Sequence, residues 1–161
     1  MNTVKRGIFP GSFDPFTIGH EEIVKKALDF FDEIIIAVGI NSQKSSFFSL
    51  ESRIEIIESV FINNPHVSVE TFNGLTVDFC IKKEAKYIIR GVRNLVDFSF
   101  ERDLSLCNYD LAQIETIFFN SSSKYAHISS TLVRDVIKNN PTKANLFAPE
   151  HIDYKVYINE K

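Results

Sequence analysis

At 161 residues the chain is sized for one domain with its own core, and residues 1–161 are read as a single unit. Its 44% hydrophobic and 24% charged residues exclude a disordered or low-complexity protein. A net charge of −3 gives no electrostatic reason to expect nucleic acid or an anionic membrane as the main partner.

Strand-like and helix-like segments alternate from the first residues onward. The segment 3–9 is short and ends apolar, as an internal strand does. It runs into Gly11-Ser-Phe-Asp-Pro-Phe-Thr-Ile-Gly-His20 and then a predicted helix over 19–31. Ile23, Val24, Ala27, Leu28 and Phe31 recur there at helical spacing, with Glu22, Lys25, Lys26 and Asp29 left for solvent. The next strand, 33–40, is apolar along its length and is predicted to be buried on both sides. After the polar loop Asn41-Ser-Gln-Lys-Ser-Ser46, Ser49 caps a helix over 49–63 that Pro65 keeps from extending. A strand at 67–72, the turn Asn73-Gly74, a helix at 75–84 and a strand at 86–90 follow. The remainder reads as a helix at 97–111, a strand at 114–119, a helix at 129–139 closed by Pro141, and a last helix at 149–158. This alternation predicts an α/β fold: a doubly wound, five-stranded parallel sheet with helices on both faces.

In open sheets of this kind, ligands bind beyond the carboxyl ends of the strands. Four strand ends there supply Ser12, His20, Lys44, Arg90, Arg93, Ser129, Ser130, Thr131 and Arg134. A strand-to-helix loop collects unpaired N–H groups and positive dipole potential, which suits a phosphate, and His20 in the first helical turn adds a side-chain donor. Gly11, Gly19 and Gly91 are three of only six glycines, and all three fall in these segments, where backbone approaches a ligand or takes positive φ. A plainer reading stands beside the functional one: Lys44 as a solvated loop residue, Arg90 and Arg93 as a surface turn paired with Asp97 or Glu101, and Ser129 as an N-cap alone.

Other chemistries lack their residues. No Gly-x4-Gly-Lys-Ser/Thr or Gly-x-Gly-x-x-Gly is present, which argues against P-loop hydrolysis and dinucleotide redox chemistry. His66, His127 and His151 show no metal-ligand spacing, so no protein-held metal is expected. Cys80 and Cys107 are read as free, buried thiols. With no signal peptide or transmembrane run, a cytoplasmic location is expected.

Thr17-Ile-Gly-His20 and Ile128-Ser-Ser-Thr131 resemble the paired signatures of a nucleotidyltransferase superfamily with a Rossmann-like fold. The resemblance is closest to the bacterial phosphopantetheine adenylyltransferase family and runs over nearly the whole chain. It includes Phe9 to Pro15, the Lys44 loop into Phe48-Ser-Leu-Glu51, Gly74 to Phe79, and Arg90-Gly-Val-Arg-Asn-Leu-Val-Asp-Phe-Ser-Phe-Glu101. The last block discriminates this family from mononucleotide adenylyltransferases and cytidylyltransferases. The resemblance implies transfer of AMP from ATP to 4′-phosphopantetheine, giving dephospho-coenzyme A and pyrophosphate. It implies Ser12, Lys44, Thr76 and Arg90 around phosphopantetheine. It implies Ser12, Phe13, His20, Gly91, Val92, Arg93, Glu101, Tyr125, Ala126, His127, Ile128, Ser129, Ser130 and Thr131 around ATP.

His20 is implied as the transition-state stabiliser, with Lys44 and Arg90 aiding catalysis; either imidazole tautomer or the cation could donate the bond. The resemblance further implies Mg²⁺ carried by the ATP phosphates, a homohexamer, and inhibition by coenzyme A. Ser12 stands where many members have threonine, and Tyr125 where tryptophan is common. The alternatives are a sister adenylyltransferase with another phosphorylated acceptor, and a non-catalytic adenine-nucleotide sensor.

Overall fold

The computed structural model describes residues 4–158 apart from Ser42 and Lys44. The apolar runs form the centre of the sheet: β1 (Arg6–Gly11), β2 (Glu33–Gly39) and β4 (Tyr87–Val92), flanked by β3 (Val67–Phe72) and β5 (Glu115–Asn120). All pairings are parallel, in the order β3-β2-β1-β4-β5. The helices are α1 (Ile18–Ala27), α2 (Leu50–Phe61), α3 (Thr76–Lys82), α4 (Leu95–Ala112), α5 (Ser130–Asn139), α6 (Pro141–Ala144) and α7 (Tyr154–Ile158). The predicted doubly wound α/β sheet is the one observed.

Strand alternation divides the core into two layers. Phe9, Ile34, Ile36, Val38 and Ile89 pack on one face with α1, α2, α5 and Tyr154. Ile8, Ile35, Ala37 and Ile88 pack on the other with Val77, Phe79 and Cys80 of α3.

The sheet's neighbours are out of sequence order at one place, between β1 and β4. There the backbone pairing covers only Gly7 with Tyr87 and Ile8 with Ile88. By contrast β1 stays paired with β2 through Gly11 and Val38, and β4 with β5 through Val92 and Asn120. Pro10 has no N–H to extend the β1–β4 ladder. The carboxyl ends of β1 and β4 therefore splay, and a crevice opens at the topological switch point.

Some expectations need correcting. The helix expected at 149–158 is only α7: His151 takes φ +68° and the Ile152 N–H turns back to the Pro149 carbonyl, so no helix runs through that segment. Pro141, expected to close α5, also opens α6 at its first turn, where a missing N–H costs nothing. Cys80 is buried as expected, and burial pushes its thiol up to about 12, but Cys107 is exposed on α4. Only Gly74 among the glycines has positive φ. A Cβ on Gly11 would come within 2.9 Å of the Phe13 ring, and one on Gly91 within 2.8 Å of Ile23. Those two glycines admit protein side chains, whereas a Cβ on Gly19 would meet nothing closer than 3.6 Å.

Candidate active site

The loop Ser12–Phe16 enters α1 with its carbonyls held by distant side chains. Arg53 donates to the Ser12 carbonyl at 2.7 Å, Arg134 to Asp14 at 2.7 Å, Ser130 to Pro15 at 2.8 Å and Tyr154 to Phe16 at 2.6 Å. The Asp14 carboxylate accepts the N–H groups of Phe47 and Phe48 at 2.7 and 2.8 Å, which ties the base of the 41–48 loop to the same segment. Phe13 sits at φ +47° in this frame, a left-handed backbone that an aromatic residue adopts only under such external constraint.

At the end of the loop Thr17 is the N-cap of α1, and His20 occupies its third helical position. The Thr17 backbone N–H donates to His20 Nδ1 at 3.0 Å, and the Thr17 hydroxyl lies at 3.0 Å from the same nitrogen. This is a capping box in which imidazole takes the place usually held by Glu or Gln. With Nδ1 accepting, Nε2 carries the proton. The ring is enclosed by Phe13 and Phe16, with centroids at 5.2 and 5.3 Å, and by Phe9 at 6.3 Å. Burial first, then repulsion from Arg90 and Arg93, lowers its pKa from 6.5 to about 4. His20 is thus a neutral Nε2–H donor at neutral pH.

Across the crevice, Arg90 bridges the splayed strands: Nη1 donates to the Pro10 carbonyl at 2.8 Å. Its Nε donates to Glu101 at 2.7 Å, and Nη2 completes a bidentate pair with that largely buried carboxylate. Arg93 pairs with Asp97 at 2.7 Å and reaches the Ile128 carbonyl at 3.3 Å. The plainer reading of both arginines as ion-paired is therefore correct, and so is their placement at the crevice. Pairing fixes each guanidinium plane and leaves part of its donor edge for a ligand. Ser129 does cap α5, accepting from Leu132 at 3.1 Å, and that helix start faces the start of α1.

A cavity of about 300 Å³ is lined by eleven of the residues expected from sequence: Ser12, Phe13, His20, Arg90, Gly91, Arg93, Glu101, Tyr125, Ile128, Ser129 and Ser130. Val92, Ala126, His127 and Thr131 do not line it; Val92 is buried in the core, and His127 turns toward Phe147. Thr76 lines a second cavity of about 180 Å³, which shares Pro10, Gly11, Arg90 and Glu101 with the first. Lys44 lies outside the described residues.

Sequence reasoning missed the rest of this second cavity, Phe72, Ile88, Leu104, Ser105, Asn108 and Thr116. Leu104, Ser105 and Asn108 lie three, four and seven residues after Glu101. That stripe was legible once Glu101 was known to face inward. Also missed was Tyr154, whose segment reads as merely amphipathic. Among the described residues no group of three or more His, Cys, Asp or Glu side chains is placed to hold a metal ion, and no helix is long and apolar enough to cross a membrane.

Residues 8–136 match the cytidylyltransferase-like family model, and the chain belongs to that family of nucleotidyltransferases. Solved structures agree on the fold. A bifunctional NMN adenylyltransferase/ADP ribose pyrophosphatase from Francisella tularensis superposes with a TM-score of 0.72 at 18% identity, over 94% of this chain and 47% of that one. Among sequence relatives, the phosphopantetheine adenylyltransferase of Christiangramia forsetii is 51% identical over 83% of this chain and 89% of its own length. That of Flavobacterium johnsoniae is 47% identical over 84% and 89%, and that of Bacteroides thetaiotaomicron 41% identical over 93% and 99%. Within the cytidylyltransferase-like family, then, the chain is a member of the phosphopantetheine adenylyltransferases.

Proposed function

We propose that the chain transfers AMP from ATP to 4′-phosphopantetheine, releasing pyrophosphate and dephospho-coenzyme A. The observation that carries this reading is the meeting of two cavities at Arg90, one lined by helix N-termini and the other by a mixed apolar and polar wall. Such a junction suits a reaction in which one anionic substrate attacks another.

In the first cavity the amides at the starts of α1 and α5, with Ser12, Phe13, Gly91, Arg93, Glu101, Tyr125, Ile128, Ser129 and Ser130, hold ATP. In the second, Thr76 and Arg90 hold the acceptor, with Ser12 and Lys44 completing its phosphate site. An acceptor phosphate oxygen attacks the α-phosphorus in line, and the bond to the β-phosphate oxygen breaks, with its electron pair leaving on pyrophosphate. No general base is required, because the nucleophile is already ionised at neutral pH.

Orientation and confinement of the two anions supply a large share of the catalysis, up to roughly 7–11 kcal/mol in favourable cases. His20 Nε2–H donates to an α-phosphate oxygen as charge shifts there. Being neutral, it can donate without the desolvation cost of an imidazolium in an aromatic pocket. Lys44 and Arg90 offset repulsion between the reactants. Magnesium enters with the ATP phosphates as part of the substrate.

Two further expectations belong to this reading. Helix α4 exposes Leu95, Val96, Phe100, Leu106 and Leu111, and Glu101 alone on it is buried. An apolar surface of this kind supports assembly with further copies of the chain, as the homohexamer the family resemblance implies. Coenzyme A, which contains the product, is the inhibitor expected to occupy the same cavities.

The test is pyrophosphate release from ATP across a panel of phosphorylated acceptors. Turnover with 4′-phosphopantetheine far above that with nicotinate or nicotinamide mononucleotide supports the reading. The reverse order would make the chain a sister adenylyltransferase, and ATP binding without acceptor-dependent release would make it a nucleotide sensor.

A further inference from the structure

Helical spacing leaves Glu22 and Lys26 of α1 for solvent, yet both are bound to a distant part of the chain. The Glu22 side chain is only 15% exposed. Its Oε2 accepts the backbone N–H of Ser122 at 3.1 Å. Lys26 Nζ, one turn further along α1, donates to the Asn120 carbonyl at 2.6 Å and pairs with Glu22 Oε1 at 3.2 Å. Burial opposes ionisation of Glu22, but the bonds from Ser122 and Lys26 outweigh it and hold the carboxyl below the usual glutamate range.

Asn120 and Ser122 flank Ser121, whose own N–H donates to the Val92 carbonyl at 2.9 Å. Both peptide groups that bound Ser121 are therefore anchored. Beyond them the Ser122 carbonyl accepts the N–H groups of Tyr125 and Ala126 at 3.0 and 2.9 Å, so the chain makes one helical turn. The Ser122 N–H lies at the start of that turn, where no carbonyl of the turn can accept it, and Glu22 supplies the acceptor. A Cβ on Gly19 would lie 4.0 Å from the Tyr125 carbonyl oxygen, so the turn also seats against the start of α1. Ser121, Tyr125 and Ile128 of this stretch line the first cavity. Glu22 and Lys26 do not; they line a groove on the outer side of α1 instead.

We infer that Glu22 is a positioning residue for the nucleotide wall: with Lys26 it latches the loop carrying Ser121, Tyr125 and Ile128 to the helix carrying His20. The inference rests on the reading of the first cavity as the ATP site. Without the latch, the entry to the turn would depend on the β4–β5 ladder. With it, the wall is ordered on folding, so ATP does not have to order it on binding.

Glu22→Ala removes the acceptor and keeps a good helix former. It is expected to raise the KM for ATP, and the calorimetric Kd for α,β-methylene ATP, by about three- to tenfold, the usual worth of one such bond. The kcat and the KM for 4′-phosphopantetheine should stay within about twofold, because neither reacting group is touched. Glu22→Gln keeps an oxygen to accept the Ser122 N–H and should restore most of the ATP affinity. Lys26→Met removes the other arm of the latch and should raise the same two ATP constants by a smaller factor. A carboxylate of merely structural importance would lower the thermal midpoint and move both KM values and kcat together, with no rescue by Glu22→Gln. That pattern, or ATP constants matching the parent's in both Glu22→Ala and Lys26→Met, overturns the inference alone. A parent enzyme that neither turns over ATP nor binds its methylene analogue overturns the nucleotide reading, and this inference with it.

Discussion

His20 Nδ1 accepts the backbone N–H of Thr17 at 3.0 Å, so the helix cap that begins α1 is also the device that fixes the tautomer of this imidazole. A capping box normally stabilises a helix end. Here the reciprocal bond also leaves the proton on Nε2, and burial among the Phe9, Phe13 and Phe16 rings, with repulsion from Arg90 and Arg93, keeps the imidazole neutral.

His20→Ala is expected to fold and to lose roughly a hundred- to thousandfold in kcat, the usual loss for one transition-state donor. ATP affinity should change little. Equal losses in affinity and turnover, measured by equilibrium binding and steady-state kinetics, would make His20 a ground-state contact instead.

The direction of the pH dependence follows from the lowered pKa. The folded value is about 4 and the ordinary one 6.5, so the unfolded chain takes up a proton there before the folded protein does. The contribution to stability is complete above pH 6.5 and is lost progressively as pH falls toward 4. Because the neutral form is the donor, kcat should show no rise as pH is lowered through 6.5. A rise there, in a pH–rate profile absent from His20→Gln, would mean that imidazolium is the active species.

Gly91→Ala and Gly19→Ala should separate protein packing from ligand packing. A Cβ on Gly91 overlaps buried Ile23 and should cost about 1–3 kcal/mol of stability, read by thermal or urea unfolding. Gly19 lines the first cavity, and Gly19→Ala meets only ordinary contacts, so the fold should be intact or slightly more stable, and the loss should fall on the KM for ATP. An unchanged KM would remove Gly19 from the nucleotide wall.

Arg90→Lys keeps the charge but not the fork that holds Glu101 on two oxygens and the Pro10 carbonyl on a third bond. A Lys ammonium cannot reproduce that planar bidentate geometry. Turnover is expected to fall by roughly tenfold or more, with a raised KM for the acceptor, about one charge-assisted bond lost. If steady-state kinetics of Arg90→Lys match the parent's, Arg90 acts as a simple point charge.

Tyr154→Phe tests the loop's external frame. The hydroxyl is buried and donates to the Phe16 carbonyl at 2.6 Å, and burial raises its pKa well above the usual tyrosine range. Removing the donor leaves a buried carbonyl unpaired, at a cost of about 1–3 kcal/mol in unfolding experiments. A smaller drop in kcat should accompany it, because Phe16 packs on His20.

What the sequence by itself determined was local or nearly so. The apolar strand 34–38, the Ser49 and Ser129 caps, and the strand–loop–helix run from Ile8 to Ala27 depend on neighbours in the chain, and each is legible from spacing and residue type. The motif segments also placed eleven residues on one cavity, because parallel topology sends every strand's carboxyl end to the same edge. Tertiary structure alone decided the rest. The splay of β1 from β4, the four distant donors that clamp the Ser12–Phe16 carbonyls and the bond from Arg90 to the Pro10 carbonyl each join residues far apart in the chain. No periodicity records such meetings. They arise from which faces the folded layers bring together, and that packing also turned His20 from an imidazole of open charge state into a neutral donor.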